Sequence, residues 1–337
     1  MVLLNESPAI SVIIPMYNSE KYIRQCLVSV LSQKLQDFEA IVIDDCSTDQ
    51  SVAEVEKLMP MFDGKLRLIK RETNAGGAAI PRNQAIKAAR GKYLFFLDSD
   101  DMLLPEAFTI LFNESEQSGA DVLHLEKYFL FNDDGTGQFN AKEMKLATNE
   151  PRKSMVKEPT VVTDDLTERI KLHCKKRFYW SPCIKTFRRD LIVDNNIEFT
   201  DIPYYEDLIF CFKCLCLSKK YVRVPYVVNI IRVRQDSMSR IGGGDNKIFT
   251  KWLKVFVNGV NAMDEFMREL DFFKQNPQLR HKEIGFFIEC CFETISSLLK
   301  DHPEHEIYSA ICQRLMLDPR GAAVPLAYFI STVNKKL

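Results

Sequence analysis

The feature that most constrains the fold is a fourfold alternation of short apolar runs with helical patterns over the first hundred residues. The runs, rich in β-branched and aromatic residues, are ISVIIP, FEAIVIDD, KLRLIKRE and KYLFFLDSDD. Such runs are typical of strands buried on both faces of a sheet. Strands that alternate with helices over short loops pair in parallel. We therefore predict an α/β protein with a doubly wound, mostly parallel sheet.

The remainder of the chain follows other patterns. Residues 131–163 are polar and contain glycine, which predicts an exposed loop or insertion. A helix is predicted at DDLTERIKLHC, with Asp164 or Asp165 as its cap, and KYVRVPYVVNIIRVRQDSMSR is interpreted as strand, turn and strand. The chain is helical in pattern from Lys247 to about Leu317, which predicts a C-terminal helical appendage.

Composition excludes several classes of protein. The formal net charge is −1, which argues against a protein that mainly covers nucleic-acid phosphates. We expect neither a signal peptide nor a transmembrane helix, because the N-terminus lacks a basic region and no long uncharged apolar run occurs. The ten cysteines lie mostly within apolar periodic segments, which is typical of reduced thiols in a cytoplasmic protein.

Polar residues follow each predicted strand. They are PMYN, DDCSTD, TNAGGAAIPRN and DSDD, in chain order. Ligands of doubly wound sheets bind at the carboxyl ends of the strands, so these segments should form one site although they are distant in sequence. Together they offer an aromatic ring, carboxylates, a glycine pair and an arginine, which suits a nucleotide diphosphate held with a divalent metal.

The ordered set SVIIPMYN, IVIDDCSTDQS, NAGGAAIPRN, FLDSDD and YEDL resembles the inverting family 2 glycosyltransferases of the GT-A fold. A lone D-x-D is a weak signal, whereas the ordered set is specific. The resemblance implies a GT-A domain at residues 1–240 with a doubly wound mixed sheet. Residues 1–101 would be its nucleotide-binding half and 102–240 its acceptor-binding half. Residues 241–337 would form a C-terminal helical region.

The same resemblance implies an activity and a setting. We expect metal-dependent transfer of a sugar from a nucleotide sugar, a UDP-sugar above all, to a hydroxyl of a glycan or lipid-linked acceptor. Bacterial-type surface polysaccharide biosynthesis is the expected context, and Mn²⁺ or Mg²⁺ is the expected cofactor. Within the same fold class a nucleotidyltransferase would need a Gly-rich basic signature after the first strand, which PMYNSEKY lacks. An inactive scaffold would show damage to the D-x-D or the base, and both motifs are intact.

Three residues are predicted to bind the nucleobase. Pro15 and Tyr17 end the first strand, where the Tyr17 ring would stack on the base or, alternatively, pack beneath the first helix. Asp45 aligns with the family carboxylate that accepts the base N3–H. An ionised carboxylate accepts hydrogen bonds only, so it would select uracil or thymine over cytosine. Asp44 and Asp49 have a structural alternative as helix N-terminal carboxylates.

The third loop and the acidic motif are predicted to hold the diphosphate. Gly76 and the following glycine permit unusual backbone angles, and Arg82 would pair with the diphosphate or with a nearby carboxylate. The resemblance implies that Asp98, with Ser99 beside it, faces the ribose or a metal-bound water, and that Asp100 ligates the metal. Asp101 extends the cluster. The alternative is a solvated acidic turn that caps the next helix.

Inverting transfer also needs a base for the acceptor hydroxyl. The resemblance gives this role to Asp207, with Glu206 shaping the acceptor pocket. Helix-capping carboxylates are the alternative. Relatives often carry an arginine and sometimes a histidine after the YEDL motif. Here Arg232 and Arg234 would support the phosphates, and Gln235 stands near the position of that histidine.

The surroundings of the enzyme are less constrained. No nucleic-acid partner is expected, and the location is predicted to be cytoplasmic. The tail GAAVPLAYFISTVNKKL is apolar with a terminal lysine pair, so it would either dock peripherally on the inner face of a membrane or pack within the protein. A homodimer through the C-terminal helices is a further expectation.

Overall fold

A computed structural model describes residues 7–133, 136, 138–148, 156–202, 204–234 and 247–299, together with short pieces between 309 and 327. Ten strands are found in these ranges. They are β1 Ile10–Met16, β2 Phe38–Asp44, β3 Leu66–Lys70, β4 Tyr93–Phe96, β5 Met102–Leu103, β6 Val122–Asn132, β7 Met144–Thr148, β8 Thr160–Val161, β9 Lys185–Arg188 and β10 Tyr221–Val233.

Helices separate most of these strands, and three short 3₁₀ turns supplement them at 59–62, 141–143 and 182–184. The α-helices are α1 Ile23–Leu31, α2 Ser51–Leu58, α3 Ala79–Ala88, α4 Ala107–Ser118, α5 Leu166–His173, α6 Arg189–Asp194, α7 Glu206–Leu217, α8 Lys247–Glu269, α9 Asp271–Gln275 and α10 Pro277–Leu299. The four predicted β-α alternations are therefore present in the predicted order.

All ten strands belong to one mixed sheet with the order β3-β2-β1-β4-β9-β6-β10-β5, with β7 beside β6 and β8 beside β10. The first four strands in sequence run parallel, whereas β9 runs antiparallel to both β4 and β6. The prediction of a doubly wound mixed sheet with a helical C-terminal region is confirmed. Because β1 lies between β2 and β4, the carboxyl ends of these three strands are neighbours.

The sheet core has two sides, and the strands alternate between them. Val12 and Ile14 of β1 pack with Cys26 of α1 and its apolar neighbours, whereas Ile13 packs in a second cluster with Ile86 of α3. Side chains alternate across a strand with a period of two, so helices on both faces bury the whole run. Each such buried aliphatic side chain stabilises the fold by about 1.5 to 3 kcal/mol relative to its exposed state.

One prediction about the second half of the sheet is wrong and another is incomplete. Within the described part of the segment interpreted as strand, turn and strand, residues 221–233 form the single strand β10, whose pairing with β6 shifts register on either side of Val227. Pro225 lies at the first shift, where a residue without an N–H is tolerated in a strand. The supposed loop at 131–163 also contains β7, which pairs with β6 over Phe131↔Met144 to Lys127↔Thr148.

Residues before two helices accept N–H groups of their first turns. The Asp165 side chain accepts the N–H of Thr167 and caps α5 as expected. Helix α1 begins at Ile23, and the backbone oxygen of Ser19 accepts the N–H groups of Tyr22 and Ile23. The hydroxyl group of Ser19 lies 2.8 Å from that of Ser99.

Contacts between residues divide the chain into two compact units. The first contains residues 1–201 and 210–237, and the second contains 202–209 and 238–337. In the second unit, α8 and α10 pack around buried Trp252, Phe256 and Phe287. Among the described residues, no helix has the length and apolar character that a membrane span requires.

Candidate active site

Tyr17 stands at the carboxyl end of β1 with half of its surface exposed (50 %). This exposure contradicts the alternative in which the ring packs beneath α1. Pro15 lies one residue before the end of the strand and pairs with Ile43 of β2. The next residue, Asn18, has a positive φ of 46° and accepts the backbone N–H of Thr48. The loops after β1 and β2 are thus tied together, which fixes the backbone beneath the ring.

Asp45 is buried directly after β2, and its carboxylate organises the third loop. Its Oδ1 atom accepts the Nε–H of Arg71 at 2.8 Å, and the backbone N–H of Ala75 lies 3.0 Å from both oxygens. A carboxylate offers about four acceptor positions, so one remains on Oδ2 for a ligand N–H. Sequence reasoning missed Arg71 because it directly follows β3 in a pattern that resembles a solvated edge.

Asp44 and Asp49 serve the local backbone. The Asp44 carboxylate accepts the N–H of Ser47 at 3.2 Å. Asp49 accepts the N–H of Ser51, the first residue of α2, at 2.9 Å and the N–H of Glu20 at 3.0 Å. These hydrogen bonds hold the pKa of Asp49 below its ordinary value in spite of its partial burial, which opposes ionisation. The structural alternative for Asp49 agrees with this geometry.

The third loop brings Gly76 and Arg82 to the same edge of the sheet. Gly76 has a φ of +75°, which a residue with a Cβ adopts only with strain, and it is exposed. Arg82, on the first turn of α3, is buried, and its Nη2 donates to Asp98 Oδ1 at 2.9 Å. Its guanidinium also lies 5.2 Å from the ring centre of Phe199. Two roles are predicted for Arg82, and the structure shows the pairing with a nearby carboxylate.

The acidic motif follows β4, and each of its four side chains has a different environment. Asp98 is 43 % exposed beside Arg82, whereas Asp100 is 18 % exposed and its Oδ2 lies 2.7 Å from Arg234 Nε. The hydroxyl groups of Ser99 and Ser19 lie 2.8 Å apart. Asp101 is buried and accepts the backbone N–H of Arg232 in β10 at 2.8 Å. This last bond ties the motif to β10.

Burial and mutual repulsion oppose ionisation of the carboxylates of the motif. Burial is the main cause that raises the pKa of Asp100 above its ordinary value, and the charge of Asp98 adds to it. Burial also raises the pKa of Asp101 well above its usual range, with further contributions from Asp100 and Asp98. The Cys26 thiol faces the same field and has a raised pKa for the same reasons. A cation near the motif would relieve this repulsion.

Arg232 in β10 and Arg234 just after this strand differ in their exposure. Arg232 has a fully buried side chain, which donates to the Asp100 carbonyl oxygen at 3.0 Å and to Gln25 Oε1 at 2.7 Å. It is therefore a buried counter-charge and scaffold in this structure. Arg234 is partly exposed, and its guanidinium lies 4.9 Å from the ring centre of Tyr22. Of the two, Arg234 is the more exposed.

The donor set fits a hard divalent cation. The described residues contain no cluster of three His, Cys, Asp or Glu side chains that could enclose a metal. Mg²⁺ and Mn²⁺ are commonly held by one or two carboxylates together with substrate phosphates and water, so a full protein cage is not required. Asp98 and Asp100 supply partly exposed carboxylate oxygens in a field that favours a cation.

The predicted acid pair opens α7 in the second unit. Glu206 and Asp207 occupy the first turn and are half-buried. Tyr204 precedes them with a φ of +76°, an unusual conformation for a bulky residue. Tyr205 is buried, and its hydroxyl accepts the indole N–H of Trp252 at 2.8 Å. Helices α8 and α10 thus hold the backbone from which the carboxylates project.

Two predicted features lie outside the described residues. Gln235 belongs to the undescribed segment 235–246, as does the rest of the region after Arg234. Most of the C-terminal tail is also outside, with only 321–323 and 325–327 described. The expectations about a histidine substitute and about membrane docking by the tail stay predictions.

The fold and the sites together define a class of protein. The solved structure of Staphylococcus aureus TarS 1-349 in complex with UDP-GlcNAc matches with a TM-score of 0.57 and 26 % identity, over 86 % of this chain and 83 % of that chain. The TarS structure in complex with UDP matches with a TM-score of 0.54. The protein therefore has the fold of the GT-A glycosyltransferases.

The family model described as glycosyl transferase family 2 matches residues 11–176. Glycosyltransferase GlyG of Streptococcus pneumoniae is 36 % identical over 306 residues, which are 85 % of this chain and 97 % of GlyG. The chain belongs to glycosyl transferase family 2.

Other relatives are longer than the matched region. EpsJ of Bacillus subtilis is 30 % identical over 69 % of this chain, which spans 64 % of EpsJ. The poly(ribitol-phosphate) beta-glucosyltransferase of Bacillus spizizenii is 34 % identical over 63 % of this chain, but the match spans only 30 % of that protein.

Proposed function

We propose that this glycosyltransferase transfers a sugar from a UDP-sugar to a hydroxyl of a glycan or lipid-linked acceptor during synthesis of a bacterial-type surface polysaccharide. The observation that carries the proposal is the acidic motif at the end of β4, where Asp98 and Asp100 are partly exposed and each is paired with one arginine. Relatives whose names include poly(ribitol-phosphate) glycosyltransferases, and TarS with bound UDP-GlcNAc, support the donor and acceptor classes.

The donor nucleotide would lie along the edge formed by β2, β1 and β4. The exposed Tyr17 ring would stack on uracil, with the backbone near Pro15 beneath it, while the remaining acceptor position of Asp45 takes the base N3–H. Gly76 allows close approach of the backbone to the ribose or phosphate. The Asp98 carboxylate would accept hydrogen bonds from the ribose hydroxyl groups, and the Ser99 hydroxyl would donate to or accept from them.

Asp100 would hold Mn²⁺ or Mg²⁺ against the diphosphate. Such a cation neutralises the charge that grows on the departing UDP. Asp100 is paired with Arg234 in this structure, so a cation has to replace Arg234 as its counter-charge. Arg234 would then be available to a phosphate oxygen. Arg82 and the buried Arg232 keep Asp98 and the motif backbone in position.

Asp207 would act as the base that takes the proton of the acceptor hydroxyl as this oxygen attacks the anomeric carbon. Attack on the face opposite the leaving UDP inverts the anomeric configuration. Glu206 would contact the acceptor from the same first turn of α7. The positive φ of Tyr204 is consistent with a functional role for this turn, because strained backbone occurs frequently at active sites.

A screen of UDP-sugars with and without Mn²⁺ tests the proposed function. We expect turnover of at least one UDP-sugar, which EDTA removes. Asp207→Asn should lower transfer by about a thousandfold while UDP affinity, measured by calorimetry, stays within twofold. Asp201→Asn, at an exposed carboxylate before α7, is the matched control and should retain activity. Binding of no nucleotide sugar would contradict the proposal, and full activity of Asp207→Asn would assign the base elsewhere.

A further inference from the structure

The chain contains two tryptophans, and their environments are opposite. Trp252 is buried and its indole N–H is hydrogen-bonded. Trp180 is half-buried and makes no hydrogen bond to any described residue. Its ring stacks on that of the adjacent Tyr179, with centres 5.8 Å apart and planes 11° apart. Tyr179 in turn faces Tyr128 of β6, with ring centres 6.5 Å apart. A partly exposed indole is thus backed by two aromatic rings.

A buried cation holds this aromatic pair in place. Lys185, the first residue of β9, is almost fully buried, and its ammonium donates to the carbonyl oxygens of Tyr179 and Ser181, the latter at 2.8 Å. Two further bonds fix the following turn, because Ser181 Oγ accepts the N–H of Cys183 at 3.2 Å and Asn229 donates to the Cys183 oxygen at 2.6 Å. Burial of an ammonium group destabilises a fold unless its N–H donors are hydrogen-bonded. The bonds of Lys185 therefore fix the backbone of this segment.

The sheet register places this segment beside the donor site. Strand β9 runs antiparallel to β4, with Phe95 opposite Thr186. The residues before β9 therefore run past the carboxyl end of β4, where Asp98 stands. Arg82 confirms this proximity, because its Nη2 lies 2.9 Å from Asp98 Oδ1 and 4.0 Å from Cys183 Sγ.

The order of strands gives the segment a position relative to the donor. Along this edge the order β2, β1, β4, β9 presents Asp45, Tyr17, Asp98 and then the segment of Tyr179 and Trp180. Neighbouring strands are about 4.8 Å apart, so each step along the edge is comparable to the width of one ring. The proposed nucleobase and diphosphate positions lie at the ends of the first three of these strands. The aromatic pair lies one strand beyond them.

We propose that Tyr179 and Trp180 form a subsite for a pyranose ring of the acceptor glycan. This proposal rests on the proposed glycosyl transfer. A pyranose has apolar C–H faces and a rim of hydroxyl groups, so one face packs on a flat aromatic surface while the rim stays hydrated. The indole N–H of Trp180 is available as a donor to one of these hydroxyl groups. The subsite adds recognition of the ring itself, which the carboxylates of the first turn of α7 do not provide.

The test separates acceptor binding from donor binding. Methyl β-D-glucopyranoside and methyl N-acetyl-β-D-glucosaminide serve as probes, titrated by saturation-transfer NMR against the full chain loaded with UDP and Mn²⁺. We expect Trp180→Ala to weaken binding of the pyranoside that binds the unmodified protein by about 10- to 100-fold, and Trp180→Phe to retain most of it. Affinity for UDP should change less than twofold. Phe139→Ala, at another partly exposed aromatic residue, is the matched control.

Fluorescence gives a second measurement on the same proteins. Since Trp252 is buried, we expect the pyranoside to alter the emission of Trp180 alone, and Trp180→Phe should abolish the response. The proposal is overturned if neither pyranoside binds the unmodified protein, if Trp180→Ala binds it unchanged, or if the variant loses UDP affinity instead. Failure of every UDP-sugar to bind or react would reject the proposed function itself, which is a separate result.

Discussion

The two edges of the same sheet carry acidic side chains paired with arginines. The pKa values of the buried carboxylates shift in opposite directions at the two edges. At the amino-terminal edge, Glu39 of β2 is 2 % exposed and accepts four hydrogen bonds. The donors are Ser11 Oγ at 2.7 Å, the N–H of Arg90 at 2.6 Å, Arg67 Nη2 at 3.0 Å and Arg90 Nε at 3.2 Å. Although burial opposes ionisation, these partners lower the pKa of Glu39.

At the carboxyl edge the balance is reversed. Asp98, Asp100 and Asp101 crowd into one turn, and the pKa values of Asp100 and Asp101 are raised by burial and by the neighbouring carboxylates. The comparison teaches that carboxylate-arginine pairs alone do not identify a site. A carboxylate saturated with donors is structural, whereas buried carboxylates that repel one another gain from a ligand that brings positive charge.

The largest expected effect that tests this comparison comes from Asp100→Asn. We expect kcat/KM with the UDP-sugar to fall by about a thousandfold, because the metal loses its carboxylate ligand. The free energy of unfolding, measured in urea, should not decrease, since the substitution removes a charge from a crowded cluster. A variant that is both active and strongly destabilised would show that Asp100 is structural, as Glu39 is.

Glu39→Gln is expected to have a smaller effect, which falls on stability and not on activity. The variant should lose about 2 kcal/mol of unfolding free energy at pH 7, because charged hydrogen bonds to buried groups are removed. Its activity per folded molecule should be unchanged.

The pH dependence of stability tests whether the pKa of Glu39 is lowered on folding. The folded-state pKa of Glu39 lies below its ordinary value of 4.5, so its contribution is complete above about pH 5 and is lost as the pH falls through the lowered pKa. Urea titrations between about pH 5 and pH 3 should show a smaller loss of stability in Glu39→Gln than in the unmodified protein. Parallel curves would contradict the assignment of Glu39 as the buried anion.

The smallest expected effect concerns Arg234→Gln. Arg234 pairs with Asp100, so it competes with a cation for the same carboxylate. Without nucleotide, Mn²⁺ affinity measured by electron paramagnetic resonance should increase by about three- to tenfold. With Mn²⁺ present, UDP affinity should decrease by a similar factor, because a phosphate contact is lost. Arg24→Gln, at an exposed surface arginine, is the control. Weaker Mn²⁺ binding in Arg234→Gln would instead show that Arg234 positions Asp100 for the metal.

The sequence predicts the first half of the sheet well, because the runs from Ile10 to Phe96 are mostly apolar and are separated by helical periodicity. It fails at β10, where Pro225 is locally a turn signal but lies at a register shift inside a long strand. Pairing with β6 across nearly the whole strand overrides the local preference. The hairpin strand β7 is missed for a related reason, since a polar edge strand has little apolar periodicity.

For the site, the sequence supplies the carboxylates and the exposed tyrosine but not their partners. The contact of Asp45 with Arg71 and Ala75 depends on how the third loop folds back over β2. The burial of Arg232 depends on β10 pairing beside the acidic turn, and no pattern within the strand signals it. Ion-pair partners distant in sequence are set by topology, so one chain read alone gives the acids without their counter-charges.

The hold of Lys185 on the aromatic segment has an evolutionary consequence. Its ammonium binds main-chain oxygen atoms, which every amino acid carries, so the identities of residues 179 and 180 are not fixed by the anchor. Tyr179 also contacts Tyr128 of β6, whereas Trp180 has, among the described residues, only its stacking on Tyr179, so residue 180 is the position at which a substitution changes the surface while the loop path persists. The proposed acceptor preference can therefore diverge among descendants of this chain through point mutations at residue 180.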